Sequence, residues 1–361
     1  MPPRLVLLTV ILTAIAAPAA PVPGATESSA EIGVIIPLSG DLALFGEKLR
    51  QGIELAAERF PGRVKLHFED MQNSNAAAAS AFRKLVETRR VRAVIGPFGP
   101  GPTLTLAPMA KASGVLLMAV SLCEERFIPL ENVFCVYPSV RDQIAPLLAL
   151  FAQPARRPKS MALLFEQAEV TEFFQKALRE YAAQHGIELL LVETFAAGEH
   201  DFRGYLARLK RRTPELLALG GWPPSALQLL RQAREMSLTP GTLWYFSEID
   251  ADSIRTHAAL FEGVYFAAVP HEPREEFRHL MQRRFGRKPD LYHSAGHDAA
   301  LCLLQAMLES PGADAPALAE ILVRSPCRGT ANPEFRFDRN RAVKLTLEVK
   351  TASGGVLLPV E

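Results

Sequence analysis

Two histidines four residues apart are the first candidates for chemistry. His293 and His297 would share one face of a predicted helix, with Asp298 beside them. Such a spacing can hold a metal ion, but zinc sites need three or four protein ligands. No third ligand is visible in the sequence, and isolated histidine pairs usually serve packing. We therefore predict no metal ion and no cofactor.

A glycine- and proline-rich turn at residues 96–101 follows a predicted strand and opens a predicted helix. Phosphate-binding loops occupy this kind of position, but the order of the glycines is not G-x-G-x-x-G. Pro97 and Pro100 also lack the backbone amides that a phosphate needs. The turn therefore disfavours a nucleotide and favours a helix amino terminus that faces some other anion.

Enzyme signatures are missing from the sequence. It contains no G-x-S-x-G, H-E-x-x-H or Walker motif. Ser121 lies near Cys123 and suggests a nucleophile, but no base that would activate it can be named. We therefore predict that the protein is not an enzyme. A hydrolase or reductase is the alternative from another class, and it would need His297, Asp298 and a serine within hydrogen-bond reach in a cleft.

The elements that would position these residues alternate along the chain. Short apolar runs alternate with longer amphipathic segments, which is typical of a parallel sheet with helices on both faces. The first run comprises predicted strands at 32–37, 64–70, 91–96 and 115–118 and helices at 42–60 and 75–88. The second comprises strands at 160–165, 189–195, 216–220, 243–247 and 263–269 and helices at 171–185, 201–212 and 225–236. Two runs of similar length imply two similar lobes, with a first crossing at 137–141.

The pattern changes after residue 269. Three helices are predicted at 275–285, 294–309 and 317–323, followed by strands at 335–337, 345–349 and 356–360 with a Gly354-Gly355 turn. This order fits a chain that returns to the first lobe and then crosses back to the second. We predict an N-terminal lobe from 31–139 with 272–332, and a C-terminal lobe from 140–271 with 333–361.

Composition and the amino terminus indicate an exported protein. The 361 residues include 40 Lys+Arg and 39 Asp+Glu, which gives no bulk attraction to nucleic acid or to an anionic membrane. Residues 1–25 are interpreted as a signal peptide with an apolar run at 5–17 and an Ala17-Pro18-Ala19 cleavage site. An uncleaved anchor is the alternative. No cysteine lies nearby, so no lipid anchor is expected, and we predict a periplasmic location.

Four cysteines allow two disulfides in an oxidising compartment. We expect Cys123 to pair with Cys135 and Cys302 to pair with Cys327. Buried free thiols are the alternative.

Several short stretches match a known family in their order and spacing. They are IGVIIPLSG at 32–40, FG at 45–46, GIELA at 52–56, VIGP at 94–97, DF at 201–202 within 198–209, GG at 220–221, LRQA at 230–233 and FD at 337–338 with Asn340. Together they resemble the type I periplasmic binding proteins, specifically the leucine/isoleucine/valine-binding family of branched-chain amino acid ABC transporter substrate-binding proteins. The resemblance covers the chain from Glu31 onward. It implies an α/β fold with two doubly wound parallel-sheet lobes, joined by three crossings, that close on a ligand.

A ligand of such a fold lies beyond the carboxyl ends of the strands. These ends lead into loops at 39–45, 98–101, 121–123, 166–171, 222–225 and 247–248. In amino-acid-binding members of the family, hydroxyls and backbone amides of two loops hold the ligand carboxylate. The first of these serines aligns with Pro100, and later positions align with Ser121 and Cys123, so the carboxylate clamp is depleted here.

The second lobe of the family contributes aromatic and acidic contacts. One aromatic position aligns near Val170 and is lost, whereas another aligns with Trp222 and is retained in kind. The acid that holds the ligand ammonium aligns with Glu248, which can form a charge-assisted hydrogen bond. Phe45, Phe98, Phe127 and Trp222 make the cleft apolar. The predicted ligand-binding residues are Phe45, Phe98, Gly99, Pro100, Gly101, Ser121, Cys123, Val170, Trp222 and Glu248.

The resemblance implies an exported solute-binding protein that delivers a small molecule to an ABC importer. The solute is expected to be amino-acid-like or an aromatic or aliphatic acid. The predicted partners are this small molecule and the permease subunits, with no nucleic acid and with membrane contact only through the permease. A receptor domain that reports to a regulatory partner is the alternative within the binding class, because one fold serves both roles.

Overall fold

A computed structural model describes residues 29–122, 131–222, 224–238, 242–244, 251–270, 272–333 and 335–360. The predicted signal peptide, Cys123, Phe127 and Glu248 lie outside the described residues, and the predictions for them stay predictions. No helix within the described ranges is long and apolar enough to cross a membrane.

Fourteen strands are present in the described residues. They are Ala30–Ile36 (β1), Val64–Asp70 (β2), Ala93–Phe98 (β3), Leu116–Leu122 (β4), Val133–Tyr137 (β5), Ser160–Glu166 (β6), Glu188–Phe195 (β7), Leu216–Gly220 (β8), Thr242–Trp244 (β9), Tyr265–Pro270 (β10), Arg336–Phe337 (β11), Val343–Lys344 (β12), Leu347–Ser353 (β13) and Val356–Pro359 (β14).

Twelve helices are present in the same described residues. They are Ala43–Ala57 (α1), Asn75–Arg89 (α2), Pro100–Ser113 (α3), Val140–Ala152 (α4), Glu169–His185 (α5), Arg203–Lys210 (α6), Ser225–Glu235 (α7), Ala251–Thr256 (α8), Ala258–Phe261 (α9), Glu275–Phe285 (α10), Leu291–Glu309 (α11) and Ala315–Arg324 (α12).

The first sheet is parallel throughout, in the order β2-β1-β3-β4-β5. Its inner strands β3 and β4 are buried at every position. Parallel strands covered by helices on both faces need such continuous apolar runs, because neither face meets water. Helices α1, α2, α3, α11 and α12 contribute side chains to the core that covers this sheet.

The second sheet has seven strands in the order β14-β13-β10-β9-β8-β6-β7. The strands from β6 to β10 run parallel, while β13 and β14 form an antiparallel hairpin beside β10. Gly354 and Gly355 turn this hairpin with φ of +57° and +81°, which side chains other than glycine rarely adopt. The predicted fold of two doubly wound lobes is therefore confirmed, with an antiparallel hairpin added to the second sheet.

The chain passes between the two halves three times, as predicted. It leaves the first sheet after β5, returns after β10 to form α10, α11 and α12, and leaves again after β12. The short β11–β12 hairpin places Phe337 and Val343 in the first core, and Cys135 N donates to Arg341 O at 3.1 Å. Residues 335–343, which the sequence analysis groups with the second lobe, thus pack with the first. The remaining domain bounds stay predictions.

The disulfide between Cys302 and Cys327 is present, so that pairing is confirmed. It ties α11 to the segment that follows α12. The pairing of Cys135 with Cys123 stays a prediction, because Cys123 is not among the described residues.

Helices α1 and α11 touch through their backbones. A Cβ atom on Gly52 would lie 2.1 Å from the carbonyl oxygen of His293, and one on Gly296 would lie 2.4 Å from that of Leu49. Both carbonyls belong to helix backbone and cannot rotate away as a side chain would. The two glycines therefore fix how closely α1 lies on α11, and with it the position of the cleft end of α1.

Gly52→Ala is expected to lower the free energy of unfolding by about 3 kcal/mol, because overpacking at a backbone contact forces the helices apart. Gly204→Ala in α6 is the matched control, since a Cβ there meets nothing within 4 Å. It is expected to leave stability unchanged or to raise it by up to about 1 kcal/mol. Urea unfolding followed by circular dichroism measures both. Equal stabilities of the two variants would contradict the close contact.

Candidate ligand-binding cleft

Residues that follow the carboxyl ends of strands in both sheets come into contact. Phe45 follows β1 in the first half and Trp222 follows β8 in the second, and their ring centroids lie 5.7 Å apart with planes at 61°. Helix α3 of the first half also contacts α5 of the second. The cleft predicted from the strand-end loops is therefore a place where both halves contribute side chains.

An aromatic cluster forms the first-lobe side of this cleft. The Phe45 and Phe98 rings stack with centroids 6.4 Å apart and planes within 8°. Tyr292 lies 4.9 Å from Phe45 and 6.1 Å from Phe98, and Tyr137 lies 5.9 Å from Tyr292. Such spacings are typical of interacting aromatic pairs. The predicted apolar character of the cleft agrees with this cluster.

Tyr292 was missed by sequence reasoning. The predicted helix began at 294, whereas α11 begins at Leu291 and is capped by Asp290, whose carboxylate accepts from Tyr292 N at 3.0 Å. An aspartate followed by an apolar helical run is a typical helix start, so this capping signal would have placed Tyr292 on the first turn.

Phe45 is positioned by a close contact at the start of α1. A Cβ atom on Gly46 would lie 1.6 Å from the carbonyl oxygen of Pro37, so only glycine lets α1 begin against the end of β1. The connecting loop is held by Asp70, which accepts from Leu38 N at 2.8 Å and from the Ser39 hydroxyl. Burial raises the pKa of Asp70, but hydrogen bonds from Ser39, Gln72 and Leu38 outweigh it and hold that pKa below its usual value.

The amino terminus of α3 offers few donors to an anion. Gly99 N donates to Val120 O at 3.0 Å, and Thr103 N donates to Gly99 O at 3.3 Å. Pro100 and Pro102 have no amide hydrogen. Among residues 99–103, Gly101 is therefore the one whose amide hydrogen is present and is not engaged in these hydrogen bonds. The expectation that this turn faces an anion finds little support in the geometry.

The hydroxyl groups near these strand ends are engaged within the chain. Ser121 is buried and its hydroxyl donates to Leu122 O at 3.3 Å. The Thr103 hydroxyl donates to Gly99 O at 2.7 Å, and the Thr105 hydroxyl donates to Gly101 O at 3.1 Å. The Ser39 hydroxyl is bound to Asp70. These groups would have to leave their backbone or carboxylate partners before they could hold a ligand carboxylate.

The second-lobe side carries an acid that the sequence analysis did not select. Glu166 is the last residue of β6, is 5% exposed, and accepts from Trp222 N at 2.9 Å through Oε2. Burial raises the pKa of this carboxyl, and the single hydrogen bond from Trp222 only partly opposes the shift. Val170 is half-buried on the first turn of α5 and packs against the second-lobe cores.

The histidine and aspartate cluster has a different place and role. Asp298 is completely buried and accepts from Asn332 N and Asn332 Nδ2, both at 2.9 Å, and from Ala331 N. His297 Nδ1 lies 2.9 Å from Asp298 Oδ1, and its ring packs on Phe277. These contacts tie α11 to residues 331–332. No group of three potential metal-ligating residues occurs in the described ranges.

A second ion pair joins α11 to α1. Asp290 Oδ2 lies 2.6 Å from Lys48 Nζ, and Asp290 Oδ1 lies 2.7 Å from His293 Nδ1. Burial raises the pKa of Asp290, but the hydrogen bond and charge of His293 together with Lys48 hold that pKa far below its usual value. The charge of Lys48 is therefore already balanced by Asp290. Lys48 lies 5.9 Å from the centroid of the Phe45 ring, but its ammonium is committed to this ion pair.

The predicted site residues divide into three groups. Phe45, Phe98 and Trp222 are brought together by the fold. Gly99, Pro100 and Gly101 form the start of α3, Ser121 lies inside β4, and Val170 lies on α5. Cys123 and Glu248 lie outside the described residues. All ten assignments stay predictions as ligand contacts.

Known proteins resemble this chain in sequence and in fold. A family model described as periplasmic binding protein matches residues 29–346. Leu/Ile/Val-binding protein homolog 7 of Brucella melitensis is 23% identical over 353 residues, covering 88% of this chain and 88% of that protein. The amino acid binding protein of Pseudomonas aeruginosa is 24% identical over 217 residues, covering 58% of each.

Solved structures agree in fold. A leucine binding protein from Thermotoga maritima superposes with a TM-score of 0.80 at 21% identity, covering 92% of this chain and 98% of that one. A branched-chain amino acid transporter substrate binding protein from Streptococcus pneumoniae, solved in complex with isoleucine, gives 0.79 at 19% identity, covering 91% and 98%. The chain belongs to the periplasmic binding protein family, in agreement with its resemblance to the leucine/isoleucine/valine-binding branch.

Proposed function

We propose that this protein is exported, captures a small molecule between its two halves and delivers it to an ABC importer. The observation that carries this proposal is the meeting of Phe45 and Trp222, which stand at the strand ends of two separate sheets. A solute lodged at these rings touches both halves at once. Contacts of a solute with both halves exist only when the cleft is closed. They therefore stabilise the closed state and not the open one.

The described walls of the cleft favour a solute with an apolar body. Phe45 and Trp222 are partly exposed and supply ring surface from both sides, and the buried rings of Phe98 and Tyr292 pack against Phe45. Amino-acid-like solutes and aromatic or aliphatic acids are the classes that follow from the sequence. The relatives support the amino-acid-like class, since their names refer to leucine, isoleucine, valine and amino acids.

The membrane partner follows from the mechanism. A solute-binding protein stays chemically passive, and permease subunits distinguish its closed, loaded shape from its open shape. The crossings near Tyr137, Pro270 and Lys344 are the segments about which the halves would move. Three crossings would restrict that movement to a hinge rotation, which changes the shape of the cleft mouth.

A thermal-shift screen with a metabolite library tests solute binding. A solute at 100 times its dissociation constant is expected to add about 2.7 kcal/mol to the free energy of unfolding.

Phe45→Ala is expected to weaken binding of the solute found in this screen about 30-fold, because a buried phenylalanine ring contributes about 2 kcal/mol. Leu44→Ala is the matched control, since its neighbouring side chain is 60% exposed. Unchanged affinity in the Phe45 variant would remove the cleft from the proposal.

Export is tested by expressing the complete chain in a bacterium with a periplasm. The mature protein is expected to begin close to residue 20, since the A-x-A pattern at 17–19 precedes that bond. Intact mass of the periplasmic fraction measures the new amino terminus. A full-length chain retained at the inner membrane would support the uncleaved anchor instead.

A further inference from the structure

Glu166 is a buried carboxylate that the described parts of the chain leave incompletely partnered. Its one partner there is the Trp222 amide at 2.9 Å, and none of the ion pairs in those parts involves it. Asp298, which is completely buried, accepts three hydrogen bonds from residues 331–332 and lies beside His297. A buried carboxylate without a positive partner is costly, so a cation that reaches Glu166 would gain a partner that the described residues leave unoccupied.

The position of Glu166 relative to the rings indicates what that partner is. The amide it binds belongs to Trp222, whose ring faces Phe45 at 5.7 Å. Aromatic faces attract cations through their quadrupole, and a protonated amine also donates charge-assisted hydrogen bonds to a carboxylate. A carboxylate that binds the backbone amide of this tryptophan therefore matches an ammonium group attached to an apolar body.

The opposite wall lacks a described receptor for a carboxylate. Two of the first three residues of α3 are prolines, and the hydroxyls of Ser39, Thr103 and Ser121 are engaged within the chain. Lys48 lies near the Phe45 ring but is paired with Asp290 at 2.6 Å. A solute carboxylate at the described part of this wall would lose its water and find few free donors there, which disfavours its binding.

We propose that the preferred solute is a primary amine with an apolar body and no carboxylate, and that Glu166 receives its ammonium group. This inference rests on the proposed capture of a small molecule between the two halves, and it departs from the amino acid or acid that the sequence predicts as the solute. Burial raises the pKa of Glu166, which agrees with a carboxyl that awaits a cation. Glu166 then sets the specificity of the cleft, while the partly exposed rings of Phe45 and Trp222 hold the apolar body.

Three matched probes test the inference by isothermal titration. They are 2-phenylethylamine, L-phenylalanine and 3-phenylpropionate, which share one ring and differ in the amine and the carboxylate. The amine is expected to bind at least tenfold more tightly than the amino acid, and the acid is expected not to bind. A second series of 3-methylbutylamine, L-leucine and 4-methylpentanoate tests aliphatic bodies in the same way.

Glu166→Gln is expected to weaken amine binding at least tenfold. The urea concentration at the midpoint of unfolding is expected to stay equal or to rise, because the amide removes an uncompensated buried charge. Glu188→Gln is the matched control, since Glu188 starts β7 at the other end of the same sheet and pairs with Arg212. It is expected to leave amine affinity unchanged.

Several results would overturn the inference. One is tighter binding of either acid or amino acid than of the matching amine. Others are full amine affinity in Glu166→Gln and a large loss of stability in that variant. The last is that none of the probes binds. If another solute from the library still binds at the cleft, the proposed function stands without this inference. If no solute binds at all, the proposed function itself fails.

Discussion

The contact between the rings of Phe45 and Trp222 joins two halves that share no sheet. It exists because strands of a parallel sheet all end at one edge, and because both sheets turn that edge toward the same cleft. The first half brings Phe45 to this point through the close passage of Gly46 over the Pro37 carbonyl. The second half brings Trp222 there through the hydrogen bond from its amide to Glu166. The cleft therefore depends on two local backbone constraints, one on each side.

The crossings between the halves are themselves tied together. Lys344 Nζ lies 2.9 Å from Asp142 Oδ2 and 3.7 Å from Asp338 Oδ2, which joins the third crossing to the start of α4 after the first. The hydrogen bond and the charge of Asp142 raise the pKa of Lys344, so the Lys344 ammonium stays charged near neutral pH. All three partners are partly exposed, which limits the stabilisation to that of a surface ion pair. A weak link of this kind keeps the segments aligned without preventing rotation about them.

Much of the fold was predictable from local signals. Three elements begin and end at the residues that the sequence pattern predicted. They are the strands at 64–70 and 216–220 and the helix at 275–285. Helix α4 was not predicted, because Pro146 interrupts its pattern and the region was interpreted only as a crossing. The bounds of β3 and β4 were placed too early, since both strands continue into the loops that approach the cleft.

The site was less predictable, because its chemistry depends on contacts between distant residues. The sequence shows that Glu166 ends a strand, but its burial and its hydrogen bond from the Trp222 amide appear only when β6 and β8 pair. The engagement of Ser39 by Asp70 is equally invisible, since it joins residues 31 positions apart. The sequence predicted a depleted hydroxyl clamp that keeps Ser121, and the Ser121 hydroxyl donates to Leu122 O within the chain. Aromatic residues were the better guide, because ring surface cannot be neutralised by a backbone partner.

Closure of the two halves on a solute is the central claim, and the distance between them tests it most directly. Spin labels on Leu44→Cys in α1 and Glu172→Cys in α5 would report that distance by double electron–electron resonance, since both side chains are exposed. Saturation with the solute found by thermal shift is expected to shorten and narrow the distance distribution. An unchanged distribution with solute bound would contradict closure and the account built on it.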